Sequence, residues 1–229
     1  MKSLNFRRYT LGSCVAAALL AGCNGSQAPI GALASTIPQR RAIAVHAAGF
    51  TYETLYRFKN KDDGGYPNAG VIAGLDVVYG TTNVGGSSKS GTVFVATPSG
   101  KEAVLYSFKG GLDGAYPDAT VTAMDGALYG TTTEGGAAND GIVFAISKGG
   151  TERVLHAFGG ADGANPYAAL VAVRNVLYGT TQYGGAYGDG AVFEIDSSGK
   201  ERILYSFGAS TTDGANPVGT MIFVNGALI

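Results

Sequence analysis

Tryptophan is absent from the 229 residues, and histidine and cysteine occur twice each. With only His46 and His156, a metal centre that needs three imidazoles cannot be assembled, and no metal ligand set is expected. Charge is sparse. Charged residues make up 14% of the chain and the formal net charge is −1, with no run of one sign, which excludes the basic footprint of a nucleic-acid binder. No apolar run reaches the ~20 residues that a membrane-spanning helix needs. The Gly-Gly pairs lack the GxxxxGK[ST] spacing of a phosphate loop, and no Ser-His-Asp set recurs, so no cofactor and no catalytic residue is expected.

Glycine is what the chain has in excess: 37 residues, about twice the usual share. Because 45% of the residues are hydrophobic and their pattern is periodic, these glycines mark turns rather than disorder. The period is close to 50. Leu55-Tyr56-Arg57-Phe58 returns as Leu105-Tyr106-Ser107-Phe108, Leu155-His156-Ala157-Phe158 and Leu204-Tyr205-Ser206-Phe207, at steps of 50, 50 and 49 residues. Val78-Tyr79-Gly80-Thr81-Thr82, Leu128-Tyr129-Gly130-Thr131-Thr132 and Leu177-Tyr178-Gly179-Thr180-Thr181 keep the same beat. A fixed period of this size signals stacked supersecondary units.

Within one unit the expected elements are four short strands. Ala119–Met124 leads through the hairpin signal Asp125-Gly126 to Ala127–Thr132. A glycine-rich loop, Glu134–Asp140, precedes Gly141–Ile146, and the turn Lys148-Gly149-Gly150 precedes Glu152–Phe158. The third strand is apolar on both faces, with Ile142, Phe144 and Ile146 on one and Val143 and Ala145 on the other, so it predicts a sheet covered on both sides. The fourth is expected to place Val154, His156 and Phe158 together on one face. The expected fold is therefore all-β: tandem four-stranded antiparallel units of about 50 residues forming a partial β-propeller with kelch-like blades. A β-solenoid is the alternative, although solenoid coils usually carry a shorter period.

The two ends predict further organisation. Lys2, Arg7 and Arg8 precede an apolar stretch, and Leu20-Ala21-Gly22-Cys23 resembles the lipobox of bacterial lipoproteins. That resemblance implies cleavage after Leu20, Ala21 and Gly22 and lipidation of Cys23. It also implies an exported protein of the bacterial cell envelope, held at the outer membrane by its acyl chains. The domains expected are a lipoprotein signal peptide at 1–22, the lipidated cysteine and a tether at 23–49, and repeats at 50–229. Ala42–Val45 aligns with the Gly-Thr-Val-Phe slot as a degenerate half unit. Cleavage would leave 13 Lys and Arg against 17 Asp and Glu and no disulfide. At the other end, Val224-Asn225-Gly226-Ala227-Leu228-Ile229 aligns with Met124–Tyr129, giving three full units and a truncated fourth. The alternatives are an open array or self-association of copies to close the ring.

Taken with Gly91-Thr92-Val93-Phe94, Gly141-Ile142-Val143-Phe144, Gly190-Ala191-Val192-Phe193 and Asp213-Gly214-Ala215-Asn216-Pro217, the ordered motifs resemble the GloVer tandem-repeat family. These are bacterial exported proteins with varied surface anchors. The resemblance covers roughly residues 50–229 and brings no catalytic residues with it.

Candidate sites are few. Asp63, Asp113, Asp162 and Asp213 recur in Asp-Gly turns, as Ca²⁺ ligands or as side chains that fix the turn. Tyr79, Tyr129 and Tyr178 lie within strands, where core packing competes with a sugar-binding rim. Tyr183 and Tyr187 stand in the variable loop of one unit as contacts for a glycan or protein ligand, and His156 stands where other units carry tyrosine. The function expected is a non-catalytic, surface-anchored binding or scaffolding module. An exported propeller enzyme acting on polysaccharide, or a fragment of a longer repeat protein, is the alternative.

Overall fold

The computed structural model describes residues 53–229. These residues form three four-stranded antiparallel meanders followed by a hairpin. The first sheet comprises β1 (Ile72–Ala73), β2 (Val78–Thr82), β3 (Thr92–Ala96) and β4 (Glu102–Ser107). The second comprises β5 (Thr122–Met124), β6 (Ala127–Thr132), β7 (Ile142–Ser147) and β8 (Glu152–Ala157). The third comprises β9 (Val171–Val173), β10 (Val176–Thr181), β11 (Ala191–Asp196) and β12 (Glu201–Ser206). The hairpin joins β13 (Phe223–Val224) to β14 (Ala227–Leu228). One 3₁₀ turn, Gly111–Asp113, lies between the first two sheets, and among the described residues no helix is long and apolar enough to cross a membrane. Among the described residues strands pair with their sequence neighbours throughout, so the expected tandem units are present and the parallel coils of a solenoid are not.

The units stack face to face. Ile142, Phe144 and Ile146 of β7 pack with Val93, Phe108 and Leu105 of the first sheet. Val143 and Ala145, on the opposite face of the same strand, pack with Leu170, Leu177, Phe193 and Ile195 of the third. Strand β11 instead alternates buried and half-buried residues, and Glu194 stands at the slot of Ala145, paired with Arg202 at 2.8 Å. An aromatic pair leads into each of the three sheets: Phe58–Phe94, Phe108–Phe144 and Phe158–Phe193 meet edge to face at 4.9, 5.0 and 5.2 Å. These rings explain the glycine of the Tyr-Gly-Thr-Thr strand. Gly130 lies across from Phe144, and a Cβ there would sit 2.5 Å from the ring. The first threonine bridges units, as Thr81 Oγ1 donates to the Ala119 carbonyl and Thr131 Oγ1 to that of Ala168.

Two expectations are corrected. The first strand of the unit is Thr122–Met124 rather than Ala119–Met124, because the backbone at Ala119 is bonded to the preceding unit's threonine and not to β6. The fourth strand does not alternate regularly either. A β-bulge between Val143 and Phe144 leaves Leu155 unpaired against β7, and the same register shift recurs in the other two sheets. The extra residue reverses the facing, so Val154 packs toward the first sheet while Leu155 and Phe158 pack toward the third. The hairpin signal Asp125-Gly126 forms as expected, with φ of 49° and 78° at its two turn residues.

Candidate functional site

Two features combine chemistry with defined geometry, and both lie where neighbouring units meet. The first is a seam of polar side chains. Tyr56 donates its hydroxyl to Asp63, Tyr106 to Asp113 and Tyr205 to Asp213, and His156 Nε2 lies 2.8 Å from Asp162 Oδ2. Each aspartate also accepts backbone amides from the turn before it: Lys59 and Lys61 for Asp63, Lys109 for Asp113, Gly159 for Asp162, and Gly208 and Ala209 for Asp213. Burial pushes Asp63 up, but the Lys59 amide and the Tyr56 hydroxyl outweigh it and hold the carboxylate below its ordinary range. The four recurrent aspartates thus clamp their own turns to the segment that precedes them, which is a strand for Asp113, Asp162 and Asp213.

A glutamate of the next unit closes the first three seams. The β7–β8 turn lies against the β4 backbone so closely that a Cβ on Gly150 would be 2.6 Å from the Leu105 carbonyl. This places Glu152, at the start of β8, near Asp113. Glu102 and Glu201 take the same place near Asp63 and Asp162. In all three glutamates Oε1 is shut off from solvent with no hydrogen-bond partner. Burial, and then the Asp113 charge, raise Glu152 from an ordinary 4.5 to about 7, against the opposing pull of Lys109 and Arg153. The folded protein therefore holds a proton that the unfolded chain releases. Its contribution to stability is complete below about pH 4.5 and is lost as pH rises through 7. Glu152→Gln is expected to flatten the fall in urea midpoint between pH 5 and pH 8, roughly the window of this titration. Unchanged slopes in the two proteins would contradict the assignment.

The second feature is an aromatic patch on the loops. Val84, Glu134 and Tyr183 occupy one position in successive units, on backbones held alike by reciprocal bonds to Gly65, Ala115 and Ala164 at 2.7–3.1 Å. Only the side chain differs. Tyr183 is 46% exposed and Tyr167 is 40% exposed. Burial first, then the charges of Asp118, Tyr183 and Glu134 within electrostatic range, oppose ionisation of Tyr167. Tyr167 follows Pro166 on a pinned segment: the Asn165 amide donates to the Asp140 carbonyl at 2.7 Å and its side chain to the Thr133 carbonyl at 2.8 Å. Asp118 is held by the side-chain amides of Asn68 and Asn83. Tyr187, 59% exposed, lies in the same loop as Tyr183, within electrostatic range of Tyr205. Of the strand tyrosines, Tyr129 is buried and Tyr79 packs on the core between the first two sheets, while Tyr178 is half-buried.

The sequence reading found Tyr183 but passed over Tyr167. The available signal was the same for both, since the equivalents of Tyr167 are Asn68, Asp118 and Val218, so an aromatic appears in one unit alone. Leu20, Ala21, Gly22 and Cys23 lie outside the described residues.

Comparison with known sequences bears on the whole repeat region. The sequence model of the Gloeobacter/Verrucomicrobia repeat matches residues 41–229. Among curated proteins nothing matches.

Proposed function

The chain belongs to the Gloeobacter/Verrucomicrobia repeat family, and from that premise we propose that it is a non-catalytic lipoprotein of the bacterial cell envelope whose repeats present a glycan-binding patch. One observation carries the binding role. Tyr167 and Tyr183 stand exposed on backbones pinned by hydrogen bonds, within electrostatic range of each other and of Asp118 and Glu134. Tyrosine rings on rigid backbone bind at little entropic cost, and their faces stack on the apolar C–H face of a pyranose. The neighbouring carboxylates accept hydrogen bonds from sugar hydroxyls. The scaffold supports this reading because identical backbone carries different side chains at the same loop position, the arrangement by which a repeat array acquires specificity. The Tyr–Asp clamps recur at three of the four seams and so belong to the scaffold rather than to a reaction.

Anchoring rests on the Leu20-Ala21-Gly22-Cys23 motif behind a basic n-region. A triacylated Cys23 would exceed the two lipid signals that lasting attachment requires. Both parts have direct tests. In affinity electrophoresis through gels containing dextran, xylan or alginate, at least one polymer is expected to retard the protein. Tyr167→Ala and Tyr183→Ala are expected to weaken that retardation about tenfold or more, since exposed aromatic anchors dominate such contacts. Free migration in every gel, or retardation that survives both substitutions, would overturn the binding role. Labelled palmitate is expected to enter the protein and not Cys23→Ser; equal incorporation would overturn the anchor.

A further inference from the structure

The seam between the second and third sheets differs from its two predecessors at one residue. In those two seams a phenol meets an aspartate and a glutamate: Tyr56 with Asp63 and Glu102, and Tyr106 with Asp113 and Glu152. In this one His156 replaces the phenol, facing Asp162 of its own unit and Glu201 of the next. The exchange alters the chemistry completely. A phenol with a raised pKa keeps its proton and serves as a hydrogen-bond donor, whereas a neutral imidazole offers a nitrogen lone pair.

The geometry suits a metal ion. One ligand atom from each of His156, Asp162 and Glu201 lies within 4.8 Å of the other two. Ligands held at ~2.0–2.2 Å from a small divalent ion stand roughly 3–4 Å from one another, so a small inward adjustment closes the set. Glu201 Oε1, like its counterparts in Glu102 and Glu152, is shielded from solvent and accepts no hydrogen bond, but of the three it alone stands beside a histidine as well as a carboxylate. Two carboxylates balance a dipositive charge, and one imidazole shifts the preference from Ca²⁺ and Mg²⁺ toward the transition metals.

We propose that His156, Asp162 and Glu201 form a binding site for a divalent transition-metal ion, with Zn²⁺ as its probe, at the junction of the second and third sheets. The three ligands come from two units, so the ion cross-links them: His156 is the penultimate residue of β8, Asp162 lies in the following turn, and Glu201 begins β12. The remaining coordination positions are left to water or to an oxygen ligand. The site is separate from the tyrosine patch and stands or falls independently of glycan binding.

Calorimetric titration of the chelator-treated protein with Zn²⁺ tests the assignment. One ion per chain is expected, with a thermal midpoint raised by roughly 5–10 °C at about 100-fold excess over the dissociation constant. His156→Tyr restores the residue that fills this slot at Tyr56, Tyr106 and Tyr205, so it is expected to fold. It should lose affinity at least tenfold and show no metal-dependent midpoint shift. Tyr106→His is expected to create a second site with Asp113 and Glu152, raising the stoichiometry to two. With Co²⁺ in place of Zn²⁺, the wild type should gain visible absorption that His156→Tyr lacks. A wild type that binds no Zn²⁺, or a loss below tenfold in His156→Tyr, overturns the site.

Discussion

Gly135→Ala is expected to lower the stability of the repeats by roughly 4 kcal/mol, as the sum of two separate costs. The first is conformational. Gly135 has φ of +93°, where a side chain costs about 1–3 kcal/mol. The second is steric. A Cβ at this position would stand 2.4 Å from the Gly114 Cα and 2.8 Å from the Gly111 carbonyl, and both are backbone atoms that cannot rotate away. Relieving the overlap means lifting the Glu134–Asp140 loop off the turn that carries Asp113. That movement breaks the Ala115–Glu134 backbone pair and the bond from the Gly136 amide to Gly111. Gly126→Ala is the control. Its φ is also positive, at +78°, but a Cβ there meets only the end of the Lys148 side chain at 3.6 Å. It should therefore cost about 1 kcal/mol from conformation alone. Urea midpoints of the two variants separate the effects, and equal losses would show that the close approach of loop and turn has no energetic weight.

Much of this fold was readable from residue order. The Asp125-Gly126 hairpin followed from turn chemistry, and the two-sided burial of β7 followed from an unbroken apolar run. What escaped reading were features that depend on a partner strand or a neighbouring unit. Alternation in Glu152–Phe158 assumes one residue per pairing position, and the bulge at Leu155 violates that assumption without any glycine or proline to announce it. The early part of the expected first strand is buried like a strand, but its backbone bonds to the preceding unit. Burial periodicity does not distinguish the two cases.

The seams show the same division. The recurrence of Asp63, Asp113, Asp162 and Asp213 marked them as candidates, yet nothing local revealed that a tyrosine or histidine at the end of one strand would be their partner. Glu201 lies 45 positions from His156, in another unit, and only the stacking of sheets brings them within reach. A clue was present in the charge pattern. In a chain with few charges, Glu102, Glu152 and Glu201 hold equivalent positions at the start of β4, β8 and β12. Tyr167 was legible by the same comparison of units, because only one unit carries an aromatic there.

The largest effect expected is a complete loss of structure when the second sheet is taken alone. Its core strand has two buried faces, and each is buried by a neighbour: Ile142, Phe144 and Ile146 by the first sheet, Val143 and Ala145 by the third. Excision would place both sets in water. It would also strip Phe144 of Phe108, Phe158 of Phe193, and Glu152 of the seam it closes. Four short strands with no covered face fall below the size at which a core sustains itself. The decisive measurement is amide proton dispersion with far-UV circular dichroism on an excised peptide of residues 109–158, compared with the full repeat region. The stacking account requires collapsed, random-coil resonances from the peptide and dispersed ones from the whole. A dispersed spectrum and a cooperative thermal transition from the single sheet would contradict it.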